Sequence, residues 1–185
     1  EGRISKAVPA VWHVVEPARL LELRRRAVAD ALARIAPAAV ARDEATRRAV
    51  ELLRHALEDA EVGGRALYAA HASLEWPDDP VVQLWHACTL LREHRGDGRV
   101  AALTVEGLDG LTANLLAVAA GVVPDGATQR RNRGWSVEQW HDRGAQLVER
   151  GLVTDDGDLT VAGAEMRRRV EAATDAAASG PVRAL

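Results

Sequence analysis

Three features of the stretch Gly134–Gly163 predict a mainly α protein, a helical bundle packed on a C-terminal winged helix-turn-helix with one short two-stranded β-wing. Ser136 stands where a helix cap belongs, Glu138 and Gln139 fall in the first turn near the positive end of the dipole, and Gly151 ends the run. Leu152-Val153-Thr154 and Asp158-Leu159-Thr160 then flank Asp155-Asp156-Gly157, and Asp-Gly between such arms is a strong hairpin signal. A last amphipathic helix follows at once, from Val161 towards Ala178.

Upstream elements follow from helical spacing and its punctuation. Pro17–Ile35 sets Leu20, Ala27, Val28, Ala31, Leu32 and Ile35 on one face, with Pro17 suited to the first turn and Pro37 beyond the end. Asp43 caps a second helix reaching to Asp59, with Ala49, Leu53, Ala56, Leu57 and Ala60 inward, and Gly63-Gly64 breaks it. A shorter helix from Arg65 to Leu74 precedes the loop Glu75–Pro80, in which Asp79 caps the next helix and Pro80 opens it. That helix, Pro80–Arg95, is read with Val81, Leu84, Trp85, Cys88 and Leu91 buried and with Gly96-Asp97-Gly98 as its stop. Arg99–Glu106 forms another short helix, and Leu111–Ala120 begins the winged core. Pro124–Arg131 is the first helix of the helix-turn-helix and Arg133-Gly134-Trp135 its turn. On the recognition-type helix Val137, Trp140, Gly144, Leu147 and Val148 are placed inward. These elements divide into an N-terminal helical segment over residues 1–79, a winged helix-turn-helix domain over 80–180 and a frayed tail over 181–185.

Composition narrows the class. A chain of 185 residues has room for one or two small domains with real cores. Without Phe and with one Tyr, the five Trp must supply much of the large-side-chain packing. A net charge of −3 supplies no bulk basic field for nucleic acid. A single Cys excludes an intramolecular disulfide and fits a reducing compartment, and no apolar run is long enough for a bilayer. The expected location is cytoplasmic, with no membrane partner. The chain opens at Glu1 without Met inside what reads as folded sequence, which predicts a piece of a longer protein.

The recognition-type helix would present Glu138, Gln139, His141, Asp142, Arg143, Gln146, Glu149 and Arg150 outward. Of these, Gln139, His141, Arg143 and Gln146 are the base-edge candidates, and Arg131 and Arg133 are placed to touch phosphates of double-stranded DNA. Against DNA stand Asp155, Asp156 and Asp158, where a phosphate-gripping wing would carry Arg. The fold argues for DNA and the surface charge argues against it. A solvated helix face competes with phosphate contact for the arginines.

The other dense segment surrounds His94. His86 and His94 lie eight residues apart, about 12 Å along a helix, so they cannot share one metal. His94 with Asp97 could orient a general base, but no nucleophile stands nearby. No catalytic residue, metal or cofactor is therefore assigned. One reading is a buried polar network in which Arg92 and Arg95 bind carbonyls or carboxylates at the glycine turn. The other is a small-molecule pocket between this helix and the first helices, formed by Trp85, His86, Arg92, His94, Arg95 and Asp97. Cys88 is read as a core residue and Trp76 as the seal of a domain junction. Arg24, Arg25 and Arg26 are read as solvent or partner contacts, and His13, His55 and His71 are assigned nothing.

Two motifs together, LWHACTLLREHRGDGRVAAL and RGWSVEQWHDRGAQLVERGLVTDDGDLTVAG, resemble a largely actinobacterial helix-turn-helix family of poorly characterised proteins, from about Val8 to the C-terminus. The resemblance implies a helical N-terminal part and a winged helix distantly similar to MarR-type regulators, usually in a longer chain. The family pattern often has His where this chain has Arg99, so no metal set is carried over, and no catalytic role transfers. The expected function is a ligand-responsive transcription regulator of MarR-like architecture, dimeric through its terminal helices. The alternative is a small-molecule-binding or accessory protein of secondary metabolism that uses the winged helix for dimerisation or as a pocket wall. An enzyme built on His94 and Asp97 is the third option.

Overall fold

The computed structural model describes residues 8, 10–36, 40, 43–123 and 125–185. Among them lie a 3-10 turn (Ala10–His13) and eight α-helices: α1 (Pro17–Ile35), α2 (Glu44–Glu58), α3 (Ala66–Ala72), α4 (Pro80–Val105), α5 (Gly110–Ala119), α6 (Gly126–Arg133), α7 (Val137–Glu149) and α8 (Val161–Arg183). They form two compact units, one of Glu1–His13 with Val100–Ala173 and one of Val14–Arg99 with Thr174–Leu185. Helices α4 and α8 each contribute residues to both.

The helical unit is built on Leu57, Tyr68, Ala87 and Leu90, with Leu53, Ala60, Trp76 and Leu91 packed around them. Two of its helices start where a short acceptor takes the free N–H groups: Asp43 accepts from Ala45 N–H at 3.2 Å, and Asp79 accepts from Val81 and Val82 N–H at 2.9 and 3.1 Å. Helix α3 has no cap of its own. Its Tyr68 N–H is satisfied at 2.9 Å by the Asp97 carboxylate, which comes from α4.

The expected break at Gly96-Asp97-Gly98 is overturned, since α4 runs unbroken for 26 residues. Gly98 serves close packing. A Cβ there would lie 2.9 Å from Ala177 Cβ and 3.0 Å from Arg65 Nη1. At this contact Arg65 donates to His94 O at 2.6 Å and to Ala177 O at 2.7 Å. Ala177 O needs that donor because Pro181, four residues on within α8, has no N–H to give.

The buried stripe of α4 is also rotated from expectation. Val82, His86, Ala87, Thr89, Leu90 and His94 are inside, while Cys88, expected in the core, is exposed. Two of the inward polar residues have local partners: Thr89 Oγ1 donates to Trp85 O at 2.9 Å, and the His94 ring meets Tyr68 edge-to-face at 5.1 Å.

In the second unit, Ala102, Leu108, Leu116, Leu147, Leu152, Val153 and Val170 form the core beneath α5, α6 and α7. Asp109 caps α5 through Thr112 N–H at 2.8 Å, and Asp125 caps α6 through Ala127 and Thr128 N–H at 2.9 and 3.1 Å. Gly134, left-handed at φ 76°, closes α6 and turns the chain into α7. Ser136 and Gln139 then form a reciprocal capping box at the start of α7.

The two-stranded β-wing does not form. Among the described residues there is no strand, and the arms meet only at an isolated Val153–Leu159 bridge. Thr154 N–H donates to Asp158 O at 2.8 Å and Thr160 N–H to Leu152 O at 3.2 Å, so a tight turn exists without a ladder. Helix caps consume both arms. Leu152 N–H donates to Leu147 O to finish α7, while Thr160 Oγ1 donates to Gly151 O at 2.6 Å and accepts from Gly163 N–H at 3.0 Å to start α8. The approach is close enough that a Cβ on Gly163 would lie 2.0 Å from Leu152 O.

The two α4 glycines therefore have opposite mutational signs. Gly96→Ala meets only Glu93 Oε2, at 3.9 Å, and is expected to add about 0.5–1 kcal/mol of stability. Gly98→Ala gains the same propensity but is expected to lose more to overpacking, which costs about 1–3 kcal/mol. Thermal denaturation of the two variants checks this; equal shifts would remove the packing role of Gly98.

Candidate functional site

Helix α7 is the recognition-type helix of the turn motif, seated by Leu147, which is 1 % exposed. Gly144 and Trp140 are half-buried on the inner side, but Val137, expected inward, is 58 % exposed. Two of the four base-edge candidates are engaged within the protein. Gln139 Oε1 accepts from Ser136 N–H at 3.0 Å in the capping box. Arg143 turns to α5, where its guanidinium donates to the Asp109 carboxylate and to Thr112 Oγ1 at 2.8 Å. His141 and Gln146 remain exposed on α7.

The flanking arginines differ in the same way. Arg130 donates to Trp135 O at 3.1 Å across the turn, whereas Arg131 and Arg133 are exposed, Arg131 donating to Thr128 Oγ1 at 2.7 Å. Glu138, Asp142 and Glu149 on α7 and Asp155, Asp156 and Asp158 beyond it are exposed as well. A groove of about 480 Å³ lies along α7, between Gln139, Arg143 and Gln146 and the start of α5. Trp135 Nε1 and Arg143 Nε beside it are buried without a hydrogen-bond partner.

Asp109 thus works twice, as the cap of α5 and as the counter-ion of Arg143. Burial alone would push its carboxyl up. The Thr112 and Arg143 hydrogen bonds outweigh that and hold it below the usual value of 3.8.

The helical unit holds a second concavity, of about 390 Å³, where α1 and the Ser73–Pro77 loop meet Trp85 and His86 of α4. Arg24 reaches into it from α1, its guanidinium 5.0 Å from the centre of a Trp85 ring. His71 orients that guanidinium. His71 Nδ1 donates to Leu67 O at 2.8 Å, which leaves Nε2 as the acceptor of Arg24 Nη2 at 3.2 Å. His86, 5 % exposed, lies edge-to-face with Trp76 at 4.9 Å, and Trp76 in turn carries Arg54 4.1 Å from a ring centre. Burial, with His71, Arg24 and Arg54 nearby, pushes the His86 imidazole down from the ordinary histidine value, so it is neutral near pH 7. Its Nε2 has no hydrogen-bond partner, a deficit worth about 1–3 kcal/mol.

A helix-turn-helix family model matches residues 1–185. The chain belongs to that family. No curated protein and no solved structure is detectably similar to it.

Within this helix-turn-helix protein, only Trp85 and His86 of the six expected pocket residues line the cavity beside α1. Arg92 pairs with Glu93 and Arg95 with Asp175 at 3.0 Å, on the outside of the helix. His94 is 3 % exposed, and Asp97 is occupied by Tyr68 N–H. Burial, then the nearby Arg65, pushes His94 below the ordinary histidine value, with Asp97 opposing. Arg92 and Arg95 thus meet carboxylates, one of the two partner types expected of them, and Arg65, which was not expected, donates to the His94 and Ala177 carbonyls. Among the described residues, no three His, Cys, Asp or Glu side chains are grouped to hold a metal ion. From the sequence Arg24 is read as a solvent or partner contact, His71 is assigned nothing, Arg54 is not singled out, and Trp76 is read only as a seal. Arg24 and His71 lie 47 positions apart, and no local spacing rule joins them.

Asp109→Asn keeps a capping oxygen but removes the charge facing Arg143. It is expected to cost about 0.5–1 kcal/mol at pH 7, the scale of a partly exposed ion pair. Because the folded carboxyl titrates below its unfolded value, this stabilisation is present above the ordinary Asp range and is lost as pH falls through the folded pKa. Denaturant unfolding at pH 7 and below pH 3.8 checks the sign, since the gap between wild type and variant should shrink on acidification.

Proposed function

We propose that this helix-turn-helix protein is a DNA-binding transcription regulator whose DNA affinity responds to a small molecule. The observation that carries the reading is α7, a helix capped by Ser136 and seated on a three-helix core with His141 and Gln146 exposed. In this reading His141 and Gln146 face base edges, while Arg131 and Arg133 touch phosphates on either side. Arg143 and Gln139 hold the reading helix in place. The ligand enters beside Trp85 and His86.

Helix α4 supports the link between the two events. It is one uninterrupted helix that gives Trp85 and His86 to the cavity and Ala102 to the core beneath the turn motif. A homodimer acting on two half-sites belongs to the proposal, as does a cytoplasmic location. Kinship with MarR-type regulators rests on the order of α5, α6 and α7 alone.

The exposed acids favour a second reading, a ligand-binding protein whose turn motif contacts protein and not DNA. Fluorescence anisotropy of the intact chain with a random duplex pool, followed from low to physiological salt, separates the two. DNA binding is expected with a log–log salt slope that falls by about 2 in the Arg131→Ala/Arg133→Ala double variant. Gln146→Ala should relax sequence preference at one position by about 1–3 kcal/mol and leave the slope unchanged. No duplex binding even at low salt would leave the second reading standing.

A further inference from the structure

We infer that the apolar groove between α5 and α7 is a docking surface for α1 of a second copy of this chain. The groove holds about 410 Å³, with Leu115, Val118, Trp140 and Val148 among its apolar walls. Its rim is acidic on the side of the Asp-Gly turn. Asp155 lines that rim, and Asp156 and Asp158 stand exposed next to it in the chain. None of the three forms an ion pair among the described residues. Gly144, in the middle of α7, also lines the groove. It has no positive φ, and no neighbour lies within 4 Å of where its Cβ would stand. A glycine there weakens the helix relative to alanine and serves no packing contact within the fold. Its missing side chain leaves the α7 backbone open to close approach from the groove.

Helix α1 has the matching face. None of its 19 residues is buried. Leu20, Leu23 and Ala27 repeat at i, i+3 and i+7, and all three are exposed. Arg26 and Arg34 are exposed as well. The helix carries five arginines against Glu22 and Asp30, a net charge of +3. A basic helix with an apolar stripe thus fits an acid-rimmed apolar groove, by charge as well as by shape. Every copy carries both surfaces, so the occupant is the chain itself. Helix and groove are different surfaces, which makes the contact heterologous. His141 lies on the rim, so a docked α1 covers a side chain that the DNA-binding reading gives to base edges. The contact is therefore distinct from the homodimer proposed on DNA, and it stands whether or not α7 reads a duplex.

Sedimentation velocity of the full chain over a wide concentration range, with titration of a labelled Pro17–Ile35 peptide, tests the assignment. Self-association is expected to grow with concentration and to weaken at least threefold from low to high salt, because exposed charge pairs are screened. The peptide is expected to bind saturably and to dissociate the assembly. Gly144→Leu should weaken both events at least tenfold without lowering the melting temperature, since the space it fills is empty. Leu23→Asp should weaken self-association as much and leave peptide binding unchanged, because it alters the helix and not the groove. If Gly144→Leu fails to fold, Arg26→Glu/Arg34→Glu and Asp155→Arg/Asp158→Arg chains serve instead. Each should associate poorly alone, and the two should associate when mixed. A monomer at every concentration, self-association indifferent to Gly144→Leu and Leu23→Asp, or mixed charge variants that do not associate would each overturn the inference. A peptide that binds while the chain stays monomeric would overturn it too, and would give the groove to a helix of its own chain or of another protein. Duplex binding by a chain that never self-associates would sink the docking and leave the DNA-binding reading intact.

Discussion

One guanidinium holds the helical unit in register. Arg65, at the start of α3, donates to His94 O on α4 and to Ala177 O on α8, beside the point where Gly98 and Ala177 would collide if either side chain were larger. Hydrogen bonds from a charged donor are worth about 1.5–3 kcal/mol each, more than neutral ones, and these two are part-buried. Here they also repair a defect, because Pro181 leaves Ala177 O without its helical partner. Asp97, one residue before Gly98, returns the favour by capping α3. The rotation of α4 about its axis is thereby fixed. That rotation sends His86 and His94 inward, Cys88 outward, and Trp85 to the edge where Arg24 finds it.

A comparable economy governs the turn motif. The one arginine on the middle of α7 is spent on Asp109 and Thr112, which fasten α7 to α5. A helix seated this way leaves His141 and Gln146 as exposed donors and acceptors among the acids Glu138, Asp142 and Glu149. In the DNA-binding reading proposed above, the acids on α7 and after it weaken non-specific attraction to the backbone, and affinity has to come from a few well-placed contacts.

What the sequence made legible was local chemistry. The caps at Asp43, Asp79 and Ser136, the left-handed turn at Gly134 and the stop at Gly151 each follow from one residue and its neighbours. Long-range chemistry was not legible. Gly98 reads as a helix stop until Ala177 is known to press against it. His86 and His94 stay off the predicted apolar stripe of α4 until Trp76 and Tyr68 are seen beside them, which turned the predicted face of α4 and moved Cys88 out of the core. The Asp-Gly turn was correctly signalled, but the arms beside it could not be credited as strands once both were needed as helix caps. The candidate site was half visible: Trp85 and His86 stood out, whereas Arg24 and His71 carry no sign in the sequence of the partner each has.

The most direct measurement of the central claim is backbone amide NMR mapping of the intact chain during titration with a duplex that it selects from a random pool. If α7 reads DNA, perturbations concentrate at Arg131–Arg133 and along the exposed face of Val137–Glu149, with Gln146 and His141 side-chain resonances moving most. Perturbations that leave α7 untouched, or none at all under low salt, would contradict it.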